Sequence, residues 1–194
     1  MLTTTLSQLH QLKLSGMAKA LSQQLEQPGQ YQDLCFAERL QLLTDQEIHE
    51  RDNRKQQRLL KQAQLKLAAN SHDIDYQHPR GLQKSVMAGL LQCDWLQRQQ
   101  NLLLTGPCGT GKTYIACALA NTACLKGYTV KYYRVSRLLM ELTQAKADGT
   151  YSKKLKSLAK LNLLILDDWG LEPLKAAQRN DLMEIMDDRH GSSS

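Results

Sequence analysis

Residues 101–113 read Asn-Leu-Leu-Leu-Thr-Gly-Pro-Cys-Gly-Thr-Gly-Lys-Thr, which sets Gly-x-x-x-x-Gly-Lys-Thr directly after an apolar run and before a helical stretch. At a strand-to-helix junction this pattern builds a phosphate-binding loop. Gly106, Gly109 and Gly111 allow backbone conformations closed to residues with a Cβ, so successive N–H groups can converge on one anion. The helix expected from about Gly111 to Lys126 adds the positive end of its dipole and its unpaired first-turn N–H groups. Gly106, Pro107, Cys108, Gly109, Thr110, Gly111, Lys112 and Thr113 are therefore the expected cradle of a nucleoside triphosphate, ATP. Lys112 is expected to reach its β and γ phosphates as a point charge, and the Thr113 hydroxyl to ligate the Mg2+ that bridges them.

A second motif follows further along the chain. Leu163-Leu164-Ile165-Leu166 is the short apolar run of a parallel strand covered on both faces, and it ends in Asp167-Asp168-Trp169-Gly170. Carboxylates at the C-terminal edge of such a strand face the ligand crevice of an open α/β sheet. Asp167 is the expected Mg2+ partner through the metal's water shell, and Asp168 the general base that polarises an attacking water. An acid next to the metal aspartate suits ATP hydrolysis and argues against a small-molecule kinase.

Charge is unevenly distributed. The chain carries +6 overall, whereas residues 126–160 hold nine Lys or Arg against only Glu141 and Asp148, an excess larger than the whole chain's. A second basic stretch, Arg54, Lys55, Arg58, Lys61 and Lys66, contains no acid. Two such patches suit a polyanion, and in a nucleotidase they favour double-stranded DNA. The five cysteines form no CxxC pair and have no accompanying histidine cluster, so neither a zinc site nor a disulfide framework is expected. Cys108 lies inside the loop, where the dipole and Lys112 favour its thiolate; the plainer reading is a small tolerated residue. No apolar run has the length of a membrane span and the N-terminus has no signal-peptide pattern, so a cytoplasmic protein without membrane contact is expected.

Residues 1–72 read as a helical N-terminal module for partner or DNA contact. Leucines recur at helical spacing up to Pro28-Gly29, and a second stripe runs from Phe36 to Ile48. Asn70 to Asp73 and His78-Pro79-Arg80-Gly81 read as a linker, followed by a helix over 82–99. Residues 73–194 alternate as α/β: strands at 102–105, 130–135 and 163–166, with helices after the loop, around 137–147 and 152–160, and over 176–189. The expected fold is thus an α/β P-loop NTPase with a parallel sheet, preceded by a small all-helical module.

The loop, the Leu-Leu-Ile-Leu-Asp-Asp-Trp-Gly strand end and the leader Leu12-Lys13-Leu14-Ser15-Gly16-Met17-Ala18-Lys19-Ala20-Leu21 together resemble the IstB-like family. These are AAA+ ATPases that assist the transposase of a class of bacterial insertion sequences and are similar to the helicase loader DnaC. The resemblance implies ATP held by residues 106–113, Mg2+ by Thr113 and Asp167, catalysis by Asp168 with Lys112, and ATP-dependent homo-oligomeric assembly on DNA with hydrolysis as a timer. Its implied partner is the transposase of the same element, or a replicative helicase in the loader reading. A reading of another class is a non-catalytic DNA-binding or regulatory fragment. Family members continue beyond Ser194 through a sensor strand, placed between the loop strand and the Asp167 strand, to an arginine supplied to a neighbour's ATP. Neither is in this chain, so the resemblance implies nucleotide binding without efficient turnover by this chain alone. Segment 153–160 is the expected DNA contact, and Arg189 the expected contact to a neighbouring subunit.

Overall fold

A computed structural model describes residues 2–78 and 81–194. The Pro79-Arg80 part of the expected linker lies outside the described residues, as does Met1. The chain divides into two compact units, residues 1–57 and 58–194. The division therefore falls at Gln57/Arg58, not at 72/73. The physical reason is that Leu59 and Ala63 are core residues of the second unit, packed with Trp95, Cys124, Val130 and Leu163.

The first unit contains α1 (Leu2–Gln11), α2 (Ser15–Glu26) and most of α3 (Phe36–Ala63). No side chain caps α2 from its N-cap residue Leu14. Instead Glu47 of α3 accepts the backbone N–H groups of Gly16 and Met17 at 2.7 and 3.2 Å, satisfying donors that a helix start leaves open. Gly16 is required for that approach, since a Cβ there would lie 2.7 Å from both the Gln46 carbonyl oxygen and the Glu47 Cα. Arg51 and Arg54 pair with the other Glu47 oxygen at 2.7 and 3.6 Å.

In the second unit the expected helix over 82–99 is two pieces, α4 (Lys84–Leu91) and α5 (Asp94–Gln97). They are separated by Cys93, buried and left-handed at φ +66°. At the break the Leu90 carbonyl accepts the Cys93 N–H at 3.0 Å and the Trp95 indole N–H at 2.9 Å, in place of the backbone N–H that a continuous helix would have given it. The expected linker residues 70–73 stay exposed or half-buried but are anchored at their flanks. Ala69 and Ile74 are buried, and Asn121 donates to the Ala69 carbonyl at 2.9 Å and to the Asn70 side chain at 3.0 Å.

The remaining elements follow the expected order: α6 (Lys112–Leu125), β1 (Val130–Arg134), α7 (Val135–Ala147), α8 (Tyr151–Ala159), β2 (Leu163–Asp167) and α9 (Ala176–Arg189). β1 and β2 pair in parallel, with Val130 opposite Leu163 and Arg134 opposite Asp167. Thr129 and Asn162 exchange side-chain and backbone hydrogen bonds of 2.8–3.1 Å just ahead of the two strands, which pins that register. Alternation along β1 then sorts the layers. Val130 and Tyr132 pack with α6, whereas Tyr133 packs with α7, α8 and α9.

The expected strand over 102–105 is not formed. Among the described residues that segment pairs with no strand, and Leu103 is 87% exposed. β2 carries a second neighbour of another kind: the Ser194 N–H donates to the Asn162 carbonyl at 3.2 Å and the Ser194 carbonyl accepts from the Leu164 N–H at 3.0 Å. This is the bonding of one residue of a third parallel strand. Arg189, the expected subunit contact, is buried within this chain, its guanidinium donating to the carbonyls of Leu158 and Ser194. Burial pulls its pKa down to about 10. Among the described residues no helix is long and apolar enough to cross a membrane.

Candidate nucleotide site

Gly109 and Gly111 both take φ +83°, a conformation that a Cβ disfavours, and the space where a Gly109 Cβ would point is open. The chain then enters α6 at Lys112, whose first-turn N–H groups and dipole face the loop. The loop is braced from within. Thr110 donates its hydroxyl to the Pro107 carbonyl at 2.9 Å, and the Lys112 ammonium donates to the carbonyls of Gly106 and Pro107 at 2.9 and 2.7 Å. The ammonium thus lies over the loop's own backbone. Cys108 is exposed and in no disulfide.

Thr113, one residue into α6, donates its hydroxyl to Asp167 Oδ2 at 2.8 Å. The two residues expected to share a metal are therefore in contact at the mouth of the glycine loop. A hydroxyl and a carboxylate are hard oxygen donors of the kind Mg2+ uses, alongside phosphate oxygens and water. Among the described residues no group of three or more His, Cys, Asp or Glu could hold a metal.

Three side chains that sequence reasoning did not single out complete the surroundings. Tyr132 donates its hydroxyl to Asp167 Oδ2 at 2.5 Å, and the Lys66 ammonium lies 3.9 Å from the same oxygen. Burial alone would push the Asp167 carboxyl up, but the donors Tyr132 and Thr113, the Asp168 backbone N–H and the Lys66 charge together hold it below the usual carboxylate value. Burial and the adjacent carboxylate push the Tyr132 phenol up, so it stays a donor. Arg134, at the end of β1, places its Nε 3.3 Å from Asp168 Oδ2. Asp168 itself takes φ +59°, a left-handed turn that ends β2 and that aspartate tolerates better than most residues. The predicted acid pair is thus split by environment, with Asp167 turned to Thr113 and Asp168 paired with Arg134. Parity along β1 was the available signal, since alternate residues Tyr132 and Arg134 lie opposite the C-terminal half of β2.

The model of the IstB-like ATP binding protein family matches residues 7–194. The chain belongs to the IstB-like family. It is 50% identical over 191 residues to the ATP-binding protein of insertion sequence IS1162 from Pseudomonas fluorescens, covering 98% of this chain and 82% of that one. It is 42% identical over 190 residues to the insertion sequence ATP-binding protein y4pL from Sinorhizobium fredii, covering 98% and 77%. A more distant IstB-like relative, the ATP-binding protein of insertion sequence IS21 from Pseudomonas aeruginosa, is 28% identical over 186 residues, covering 96% and 70%.

Proposed function

We propose that this IstB-like chain binds ATP with Mg2+ and, in that state, assembles with copies of itself on double-stranded DNA to assist the transposase of a bacterial insertion sequence. The observation that carries the reading is the contact of Thr113 with Asp167 at the mouth of the glycine loop, 2.8 Å apart. Gly106 and residues 108–111 supply backbone N–H groups to the phosphates, Pro107 having none to give, and Lys112 exchanges its loop carbonyls for phosphate oxygens. Thr113 and Asp167 hold Mg2+, which supplies charge neutralisation on the phosphates when bound. Asp168 serves as general base toward water, with Arg134 orienting its carboxylate.

Hydrolysis, slow in this chain alone, sets the lifetime of the assembly, and the helices N-terminal to residue 58 are the partner-binding module. The nature of the relatives, ATP-binding proteins of insertion sequences, supports the transposition setting. The test is binding of a labelled duplex by fluorescence anisotropy with ATP, ADP or neither. ATP should tighten binding at least about tenfold, and Lys112→Ala should abolish that gain. Binding indifferent to nucleotide would contradict the reading and favour a non-catalytic DNA-binding module.

A further inference from the structure

The two basic stretches of the sequence meet in space. A groove of about 620 Å³ runs along the open edge of β1, between the C-terminal end of α3 and the end of α8. Arg58 and Lys61, three residues apart and so on one side of α3, line it together with Lys131 and Tyr133 of β1. Among the described residues no carboxylate lines it.

These charges are poorly compensated. Arg58 and Lys61 are exposed and enter no ion pair among the described residues. Among the described residues the Lys131 ammonium has only neutral acceptors, the Gln62 carbonyl at 3.1 Å and Gln64 Oε1 at 2.7 Å. The acid that acts on Lys131 from nearby, Glu141, is already tied to Lys154 at 2.6 Å. Lys131 and Lys154 both lie against the Tyr133 ring, 5.7 and 5.2 Å from its centroid. Burial, followed by the Lys154 charge, pulls the Lys131 pKa down, so an arriving anion would relieve a crowded cation.

The groove is separate from the nucleotide loop. Alternation along β1 turns Tyr132 toward Asp167 and sends Lys131 and Tyr133 to the groove. Its charges sit on long side chains of two elements, with no glycine nest and no helix N-terminus in the lining. That equipment tracks a chain of phosphates and does not enclose one small anion.

We propose that this groove receives the phosphate backbone of duplex DNA through Arg58, Lys61 and Lys131, without reading bases. The assignment rests on the proposed DNA binding and replaces segment 153–160 as the main contact.

The experiment is anisotropy of a labelled duplex of arbitrary sequence over a range of salt. It uses the full chain, the Arg58→Gln/Lys61→Gln double variant, the triple variant that adds Lys131→Gln, and an α8 control, Lys153→Gln/Lys156→Gln/Lys160→Gln. For every phosphate that the protein no longer neutralises, the slope of log K against log salt should fall by about 0.9, so the double variant should drop by about two units and the triple by up to about three. The α8 control should drop by less than about 0.9, and all variants should bind fluorescent ATP as the wild type does. The double variant removes only exposed side chains, which separates weakened phosphate binding from unfolding. If wild-type chain binds no duplex, the DNA reading itself fails. If it binds and the double variant keeps the full slope, or the α8 control drops as far, the groove assignment is overturned while the DNA reading stands.

Discussion

Thr113 and Tyr132 donate to the same oxygen of Asp167, at 2.8 and 2.5 Å, so the loop helix, β1 and β2 are tied together at a single carboxylate. Two donors on one oxygen keep the group ionised and aimed. A depressed carboxyl stabilises the fold above its unfolded pKa, and that stability is lost as pH falls through the folded value. For Asp167 the window therefore lies at and below its ordinary value of 3.8. Tyr132→Phe removes one donor and should move the acid loss of Mg2+-dependent nucleotide binding to higher pH, with binding at pH 7.5 changed less than about tenfold. Titration of fluorescent-ATP binding from pH 7.5 downward measures it. Superimposable profiles would remove Tyr132 from that role.

The first unit depends on backbone contact between α2 and α3. Gly16→Ala places a methyl 2.7 Å from the Gln46 carbonyl oxygen and the Glu47 Cα, neither of which can rotate away. It should cost about 1–3 kcal/mol, as overpacking does. Glu47→Ala, which uncaps the Gly16 and Met17 N–H groups, should cost about 1–2 kcal/mol. Urea unfolding followed by circular dichroism reads both, and a Gly16→Ala variant of wild-type stability would contradict the close approach.

Arg189 should prove structural. Arg189→Met strips the carbonyls of Leu158 and Ser194 of a buried donor and should destabilise the second unit by about 1–3 kcal/mol. Its effect on self-association, measured by sedimentation, should be no larger than that loss explains. A stable variant that fails to self-associate would return Arg189 to the subunit interface.

What could be read from the sequence was local. The glycine loop, the apolar run before Asp167 and the spans of α6, α7, α8 and α9 depend on spacing and periodicity within a few turns, and they lie where those patterns put them. The misread features depend on partners that periodicity does not report. At the break by Cys93 the Leu90 carbonyl takes the Trp95 indole N–H. Residues 70–73 resemble a linker in composition, yet the segment is held to α6 by Asn121 and by buried Ala69 and Ile74 at its ends. Lys66 belongs to a basic run that suggested nucleic acid, yet its ammonium lies by Asp167. The segment 102–105 has strand composition, but a strand needs a partner, and among the described residues it has none.

The most direct measurement is calorimetric titration of ATP into the wild type, Lys112→Ala and Asp167→Asn, each with Mg2+ and with EDTA. One site built from the glycine loop and the Thr113–Asp167 pair predicts binding that Mg2+ tightens in the wild type. It also predicts at least about a tenfold loss in Lys112→Ala under both conditions, and an Asp167→Asn variant that binds as the wild type does in EDTA but gains little from Mg2+. Equal affinity in all three proteins, or a full Mg2+ gain retained by Asp167→Asn, would contradict the account.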